Sequence, residues 1–142
     1  MADGLFDGRQ YRVYREFTAA TVIKFVATKA FILTGQSLYV DAGQARVAVS
    51  IGGTEGGAFV SAPTLFGKNG TNVKPSGAIL TVGGTITGGT EREVLRVNAG
   101  GGAGAVAELL GQRVLPAGTY YMSITVTGST SGVYSFEFEN VS

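Results

Sequence analysis

Apolar and polar residues alternate with a period of two over the C-terminal part of the chain. Thr119–Thr127 and Val133–Val141 each place an apolar or aromatic residue at every second position. Since successive side chains of a β-strand point to opposite faces, each segment is predicted as a strand with one buried face. Gly128–Gly132, which lies between them, is predicted as the loop of a hairpin. The expected inward residues are Tyr120, Met122, Ile124, Val126, Tyr134, Phe136 and Phe138, and the expected outward residues include Ser135, Glu137 and Glu139.

The same alternation recurs along the rest of the chain, with glycine between the segments. Short strands at this spacing, separated by turn residues, are typical of an all-β domain. We therefore predict an antiparallel β-sandwich or jelly roll with an extended N-terminal arm. The further predicted strands are Gln10–Phe17, Thr21–Ala27, Phe31–Leu33, Gln36–Asp41, Arg46–Ile51, Ala58–Ala62, Ala78–Val82, Glu91–Val97 and Ala107–Val114.

One segment allows a second interpretation. Glu108-Leu109-Leu110 within Ala107–Val114 could form a helical turn. Glycines at positions 104 and 111 leave too little length for a stable helix, so a strand is favoured.

Glycine accounts for 23 residues and proline for 3, while hydrophobic residues make up 44% of the chain. This combination indicates a packed core with many tight turns. Val49–Thr54 and Leu80–Thr85 read VSIGGT and LTVGGT. The match is interpreted as convergence on similar turns, with internal duplication as the alternative. Gly67–Pro75 and Asn98–Ala105 are predicted as the longest loops, and the second is expected to be mobile or to be buried against a partner.

A chain of 142 residues is long enough for one domain, which we place at residues 17–142. Residues 1–16 are predicted to form an arm. Such an arm is frayed in many proteins. Alternatively, Tyr11–Arg15 pairs with a sheet edge of a neighbouring subunit and takes part in assembly.

Cysteine and histidine are both missing, and their absence excludes several classes of function. Without cysteine there is no disulfide or thiolate site, and without histidine there is no Ser-His-Asp triad or histidine-bearing zinc site. A formal charge of +1 argues against nucleic acid as a partner. We find neither a secretory signal nor a membrane helix, so the chain is expected to be cytosolic where it is made.

The remaining candidates for chemistry are weak. Gly100–Gly104 is followed neither by lysine and serine or threonine nor by a helix, so it does not match a phosphate-binding loop. The pairs Glu91 and Glu93, and Glu137 and Glu139, could share a strand face as glycosidase carboxylates do, but a solvated strand face is the more common meaning of this pattern. We expect no catalytic residue, no cofactor and no metal.

Tyrosines are the candidates for contact with a partner. Tyr39 and Tyr121 fall on the polar side of their predicted strands, and Tyr11 and Tyr14 lie in the predicted arm. Flat rings on an exposed sheet face can bind a protein or a sugar. The absence of tryptophan weakens the sugar interpretation.

Three segments, Tyr11–Phe17, Gly88–Leu95 and Leu115–Tyr121, resemble small β-sandwich virion proteins of tailed bacteriophages. The resemblance implies a capsid decoration or cement protein that binds the major capsid protein or another virion protein. It also implies a homo-oligomer, trimer or dimer, assembled in the host cytoplasm and located in the virion. It supplies no functional residues. The alternative is a carbohydrate-binding or adhesive module of a tail or head fibre.

A second resemblance concerns the predicted C-terminal hairpin. Leu115–Tyr121 followed by Gly132–Phe136 is similar to the last hairpin of bacterial prepeptidase C-terminal domains, secreted modules attached to hydrolases. This chain shows neither a signal peptide nor an attached enzyme, so we interpret the likeness as shared β-sheet physics.

Overall fold

The computed structural model describes residues 10–60, 64–67, 77–100 and 105–140. All regular elements of this part of the chain are strands, in agreement with the predicted all-β class. They are β1 (Gln10–Phe17), β2 (Thr21–Ala27), β3 (Phe31–Ile51), β4 (Thr54–Gly56), β5 (Thr64–Gly67), β6 (Ala78–Val82), β7 (Thr85–Thr87), β8 (Thr90–Gly100), β9 (Ala105–Leu115) and β10 (Gly118–Asn140).

Two long strands, β3 with 21 residues and β10 with 23, pair antiparallel along almost their whole length and form a ribbon. The pairing shifts between Thr127 and Ser131, where Gly43 of β3 faces three residues of β10. Gly43 and Gly128 both have positive φ, of 78° and 74°, which glycine adopts without a steric penalty. The ribbon folds over at this point, which we call the bend.

Each half of the ribbon is the centre of one sheet. The half between Phe31 and Val40 belongs to sheet one, whose strand order is β5-β1-β10-β3-β9. The half between Gln44 and Ile51 belongs to sheet two, whose order is β6-β2-β10-β3-β8. All these pairs are antiparallel. A long antiparallel ribbon folded into two facing sheets is a jelly roll, which decides between the two predicted architectures.

The core lies between the two sheets and is continuous. Phe25 of β2 in sheet two contacts Phe136 and Phe138 of β10 in sheet one, at ring-centroid distances of 5.8 and 5.1 Å. These contacts hold the folded ribbon closed. The largest fully buried side chains are Tyr11, Tyr134, Phe25, Phe31, Phe136, Phe138, Ile23, Leu38, Met122, Ile124, Val13 and Val40.

The predicted C-terminal hairpin is wrong. Gly118–Asn140 is one strand, and Gly128–Gly132 lies at the bend, where both halves of β10 continue to pair with β3. The predicted inward faces of the two halves are nevertheless right, except that Val126 is only partly buried. A Cβ at Gly132 would collide with the Tyr39 carbonyl oxygen, so glycine is required there by close packing of the ribbon rather than by a turn.

The predicted arm is wrong for residues 10–16, because Gln10–Phe17 is β1 and pairs with both β10 and β5 of the same chain. Tyr11 and Val13 are 2% and 0% exposed. Their alternation with polar residues gives β1 an inward face, and burial of that face draws the segment into the sheet. The predicted boundary between the arm and the domain, at residues 16 and 17, therefore falls within strand β1. Residues 1–9 lie outside the described part.

Three predicted strands, Phe31–Leu33, Gln36–Asp41 and Arg46–Ile51, are parts of the single strand β3. Register shifts near Thr34 and at the bend change the phase of the alternation, which is why the pattern looks interrupted in the sequence. Ala107–Val114 is confirmed as a strand within β9. The predicted strand Ala58–Ala62 is not formed at residues 58–60, and its last two residues lie outside the described part.

The short strands that begin at the threonines of the two Gly-Gly-Thr segments pair with each other. Thr54 of β4 pairs with Thr87 of β7, and Gly56 pairs with Thr85. Residues 52–60 and 83–89, which contain these two short strands, form a unit that we call the flap. The first predicted loop, residues 67–75, lies outside the described part except for Gly67. The second, Asn98–Ala105, is shorter than predicted, because residues 98–100 belong to β8 and Ala105 begins β9, while residues 101–104 lie outside the described part.

Candidate partner-binding surface

Of the four tyrosines predicted to contact a partner, Tyr11 lies in the core. It is 2% exposed, and its ring stacks on Phe138 with centroids 5.1 Å apart. It is not available to a partner. The prediction failed because it treated the segment as an arm, whereas Tyr11 is on the inward face of β1.

Tyr121 is on the outer face of sheet two, as predicted, but it is only 7% exposed because the flap covers it. Its hydroxyl donates a hydrogen bond to Oε2 of Glu55 in β4. Lys24 Nζ lies 2.6 Å from the same carboxylate oxygen. The Phe59 ring lies 6.2 Å from the Tyr121 ring and 5.7 Å from Lys24 Nζ. The contacts of Tyr121 are thus made within the chain.

The electrostatics of this cluster follow from its geometry. Burial, and then the hydrogen bond and negative charge of Glu55, raise the pKa of Tyr121 to about 12. The hydrogen bond from Lys24, followed by that from Tyr121, lowers the pKa of Glu55. The cluster therefore consists of the neutral Tyr121 phenol and the ion pair of Lys24 with Glu55. It connects the flap to sheet two.

Replacing Glu55 with glutamine is expected to lower the pKa of Tyr121 towards 10, because the charge that opposes phenolate formation is removed. In the wild type the folded protein holds the phenolic proton more tightly than the unfolded chain. The corresponding stabilisation is complete below pH 10 and is lost as the pH rises towards 12. Ultraviolet titration of wild type, Glu55→Gln and Tyr121→Phe measures this pKa. An identical alkaline titration of wild type and Glu55→Gln would contradict the contact.

Tyr14 and Tyr39 are the two predicted tyrosines that reach solvent, with 37% and 38% of their surface exposed. Both lie on the outer face of sheet one, Tyr14 on β1 and Tyr39 on β3. Strand β10 lies between β1 and β3, and Tyr39 is two residues beyond the position opposite Tyr14. Two interstrand spacings and two residues place the Cα atoms of Tyr14 and Tyr39 about 12 Å apart. On the same face, Arg12 Nε lies 3.4 Å from a Glu137 oxygen. This face combines exposed aromatic rings with charged side chains.

A recess of about 460 Å³ lies on this face beside the bend. Tyr39 forms part of its wall, together with Glu16, Asp41 and Ser131. Ser131 Oγ donates to Asp41 Oδ2 at 2.9 Å, and the hydrogen bond to Asp41 raises the pKa of Tyr39. Glu16 forms no ion pair with any described residue. We call this site, which holds two carboxylates, the acidic recess.

A second recess of about 440 Å³ lies beside the same bend on the outer face of sheet two. Arg46 and Arg96 are direct cross-strand neighbours in it, and Thr125 and Thr127 contribute hydroxyl groups. Glu91 accepts two hydrogen bonds from Arg46, at 2.9 and 2.6 Å, and its pKa is lowered by that contact. Arg96 forms no ion pair within the described ranges. We call this site the basic recess.

The first candidate carboxylate pair, Glu91 and Glu93, is not formed. A register shift beside Ser50 turns Glu91 to the outer face and Glu93 inward, so they do not share a face. Glu93 accepts a hydrogen bond from Gln36 at 2.7 Å and pairs with Arg113. Glu93 lines a cleft of about 490 Å³ between the two sheets, at the edges formed by β8 and β9. The alternation of residues along one strand could not reveal the register shift beside Ser50, because that shift depends on the pairing of β8 with β3.

The second pair, Glu137 and Glu139, also differs from the expected solvated face. Glu137 pairs with Arg12, but Glu139 is 3% exposed, and its Oε1 has no hydrogen-bond partner among the described residues. Within the described ranges no three histidine, cysteine or acidic residues are grouped so as to hold a metal ion. Nor does any helix there have the length and apolarity needed to span a membrane.

No family model matches the sequence, and no curated protein matches it. Among solved structures, the chain is similar to the catalytic domain of a GH87 alpha-1,3-glucanase in complex with tetrasaccharides, with 15% identity and a TM-score of 0.30. The match covers 92% of this chain and 22% of that chain. A mutant VP2 protein of infectious bursal disease virus gives 13% identity and a TM-score of 0.21, covering 94% and 40%. The chain thus spans about a fifth and two fifths of these proteins, and at such scores neither likeness bears on function.

Proposed function

We propose that this chain is a non-enzymatic virion structural protein, a capsid decoration or cement protein that binds and stabilises a phage head. The observation that carries the proposal is the outer face of sheet one, where Tyr14 and Tyr39 are exposed on a rigid sheet. Tyrosine provides a large contact area with little loss of side-chain entropy and is enriched at protein interfaces.

The placement of the charged side chains supports a structural role. Glu55, Glu91 and Glu93 each form an ion pair with a lysine or arginine of the same chain. A carboxylate held in this way connects strands and is poorly placed to exchange protons with a substrate. A cement protein requires a stable scaffold and an exposed face, and sheet one supplies the face.

The proposal is tested by co-sedimentation of the purified chain with heads assembled without it. We expect saturable binding and a higher temperature of head disruption. Tyr14→Ala and Tyr39→Ala should each weaken binding about tenfold, as interface tyrosines commonly do. Val60→Ala, a truncation of a residue that is 78% exposed on the flap, is the matched control and should leave binding unchanged.

Failure of the wild type to bind heads would overturn the proposal. Binding to a glycan array in the absence of head binding would support the adhesive module instead. Equal losses for Val60→Ala and the two tyrosine variants would show that sheet one is not the contact face.

A further inference from the structure

The basic recess contains an unfavourable arrangement of charge. Arg46 and Arg96 are directly opposite on β3 and β8, and like charges at such positions destabilise a sheet. Glu91 is hydrogen-bonded to both terminal nitrogens of Arg46, and the charge of Arg96 makes only a smaller contribution to the lowered pKa of Glu91. Arg96 forms no ion pair among the described residues, so its positive charge is only partly offset. A carboxylate from outside the chain would relieve this repulsion.

The acidic recess has the opposite imbalance. Glu16 and Asp41 lie on its rim, and the described groups that contact Asp41 are the neutral hydroxyls of Tyr39 and Ser131. The chain as a whole carries a formal charge of only +1, so the two recesses are local features of opposite sign rather than parts of a uniform field.

The two recesses are matched in size, about 440 and 460 Å³, and in position. Asp41 and Ser131 lie on one side of the bend, while Gln44 and Thr127 lie on the other. The recesses therefore lie at the same end of the jelly roll but on its two opposite outer faces. Each also has a partly exposed apolar group nearby, Tyr39 in the acidic recess and Val94 two residues from Arg96.

We infer that the basic recess of one copy of this chain binds the acidic recess of a second copy, with Arg96 of the first facing Glu16 of the second. Two different surfaces meet, so the contact is heterologous, and such a contact forms a ring when the rotation between neighbouring copies closes and an open filament when it does not. The closed form, a ring of at least three copies, is part of the inference. This inference rests on the homo-oligomeric form of the proposed virion protein and names the surfaces that form it. Tyr14, about 12 Å from Tyr39, lies outside the contact and stays available to the head. Tyr39 is covered by the second copy, so Tyr39→Ala should weaken head binding by loosening the ring and lowering its multivalent attachment.

The test is the oligomeric state of the purified full chain, measured by sedimentation velocity and light scattering. The wild type is expected to form a ring that dissociates as NaCl rises from 0.1 to 1 M, because the Debye length falls from about 10 to about 3 Å. Arg96→Glu and Glu16→Arg should each raise the dissociation constant by on the order of 100-fold, since each variant places like charges opposite each other.

The combined variant with Arg96→Glu and Glu16→Arg restores opposite charges and should recover the ring. Lys29→Glu, which reverses an exposed charge in the turn between β2 and β3 at the far end of sheet one, is the matched control and should assemble like the wild type. Thermal unfolding of each variant confirms that it is folded.

Three outcomes would overturn the inference: a wild type that is monomeric at all concentrations, a ring unaffected by either single reversal, or a combined variant that stays dissociated. Head binding is read separately. Tyr14→Ala should weaken head binding and leave the ring intact, whereas loss of head binding with a ring that responds to both charge reversals would overturn only the proposed function.

Discussion

Replacement of Phe25 by alanine is expected to lower the free energy of unfolding by about 3–5 kcal/mol, the range for truncation of a buried phenylalanine. Phe25 is fully buried. Its ring lies 4.9 Å from Phe31 and 5.1 Å from Phe138, both in sheet one. It also contacts Tyr120, its neighbour within sheet two. The cavity would open between the sheets, where neighbours held by two antiparallel ladders cannot easily move to fill it.

Urea unfolding followed by circular dichroism measures this loss through the midpoint and slope of the transition. Ile79→Ala is the control, because Ile79 is 59% exposed on β6 and its truncation should change stability by no more than about 0.5 kcal/mol. Comparable losses for the two variants would contradict the placement of Phe25 between the sheets.

A second large effect is expected for Gln36→Leu. Gln36 is 4% exposed and connects two groups: Tyr134 donates to its Oε1 at 2.6 Å, and its Nε2 donates to Glu93 at 2.7 Å. Leucine would leave a fully buried hydroxyl without an acceptor and a carboxylate without one of its donors. Each such loss costs about 1–3 kcal/mol, so we expect destabilisation of about 2–4 kcal/mol.

A double-mutant cycle separates this polar cost from packing. Tyr134→Phe removes the hydroxyl that Gln36→Leu would leave unpaired, so the combined variant should be less destabilised than the sum of the two single variants. Additive losses of stability, or a Gln36→Leu variant as stable as the wild type, would show that the hydrogen bonds of Gln36 with Tyr134 and Glu93 do not stabilise the fold as proposed. Burial, followed by the charge of Glu93, raises the pKa of Tyr134, in keeping with a neutral hydroxyl at this position.

The local pattern predicted the strands well where one side chain in two is buried. Gln10–Phe17, Thr21–Ala27 and Ala78–Val82 have the predicted bounds, since alternation with a period of two is a property of the strand itself. It predicted less well where a strand is irregular. The shifts in β3 near Thr34 and at Gly43 change the phase of the alternation and made one strand of 21 residues resemble three.

The candidate site was predicted only in part, because exposure depends on residues distant in the sequence. Tyr39 and Tyr121 occupy equivalent polar positions in their strands, yet one is 38% and the other 7% exposed. The difference is made by Glu55 and Phe59 of the flap, which lie over Tyr121 from more than 60 residues away. Nothing in the local pattern around Tyr121 indicates that cover.

The sequence by itself determined that the chain is all-β and which face of most strands is apolar, because both follow from the alternation of neighbouring residues. The tertiary structure decided which strands pair. Val133–Asn140 could have folded back on Thr119–Thr127 with the same inward residues, but both continue along β3 instead. A hairpin and a folded ribbon bury the same side chains, and only the distant partner strand, with its bend at Gly43 and the close approach at Gly132, distinguishes them.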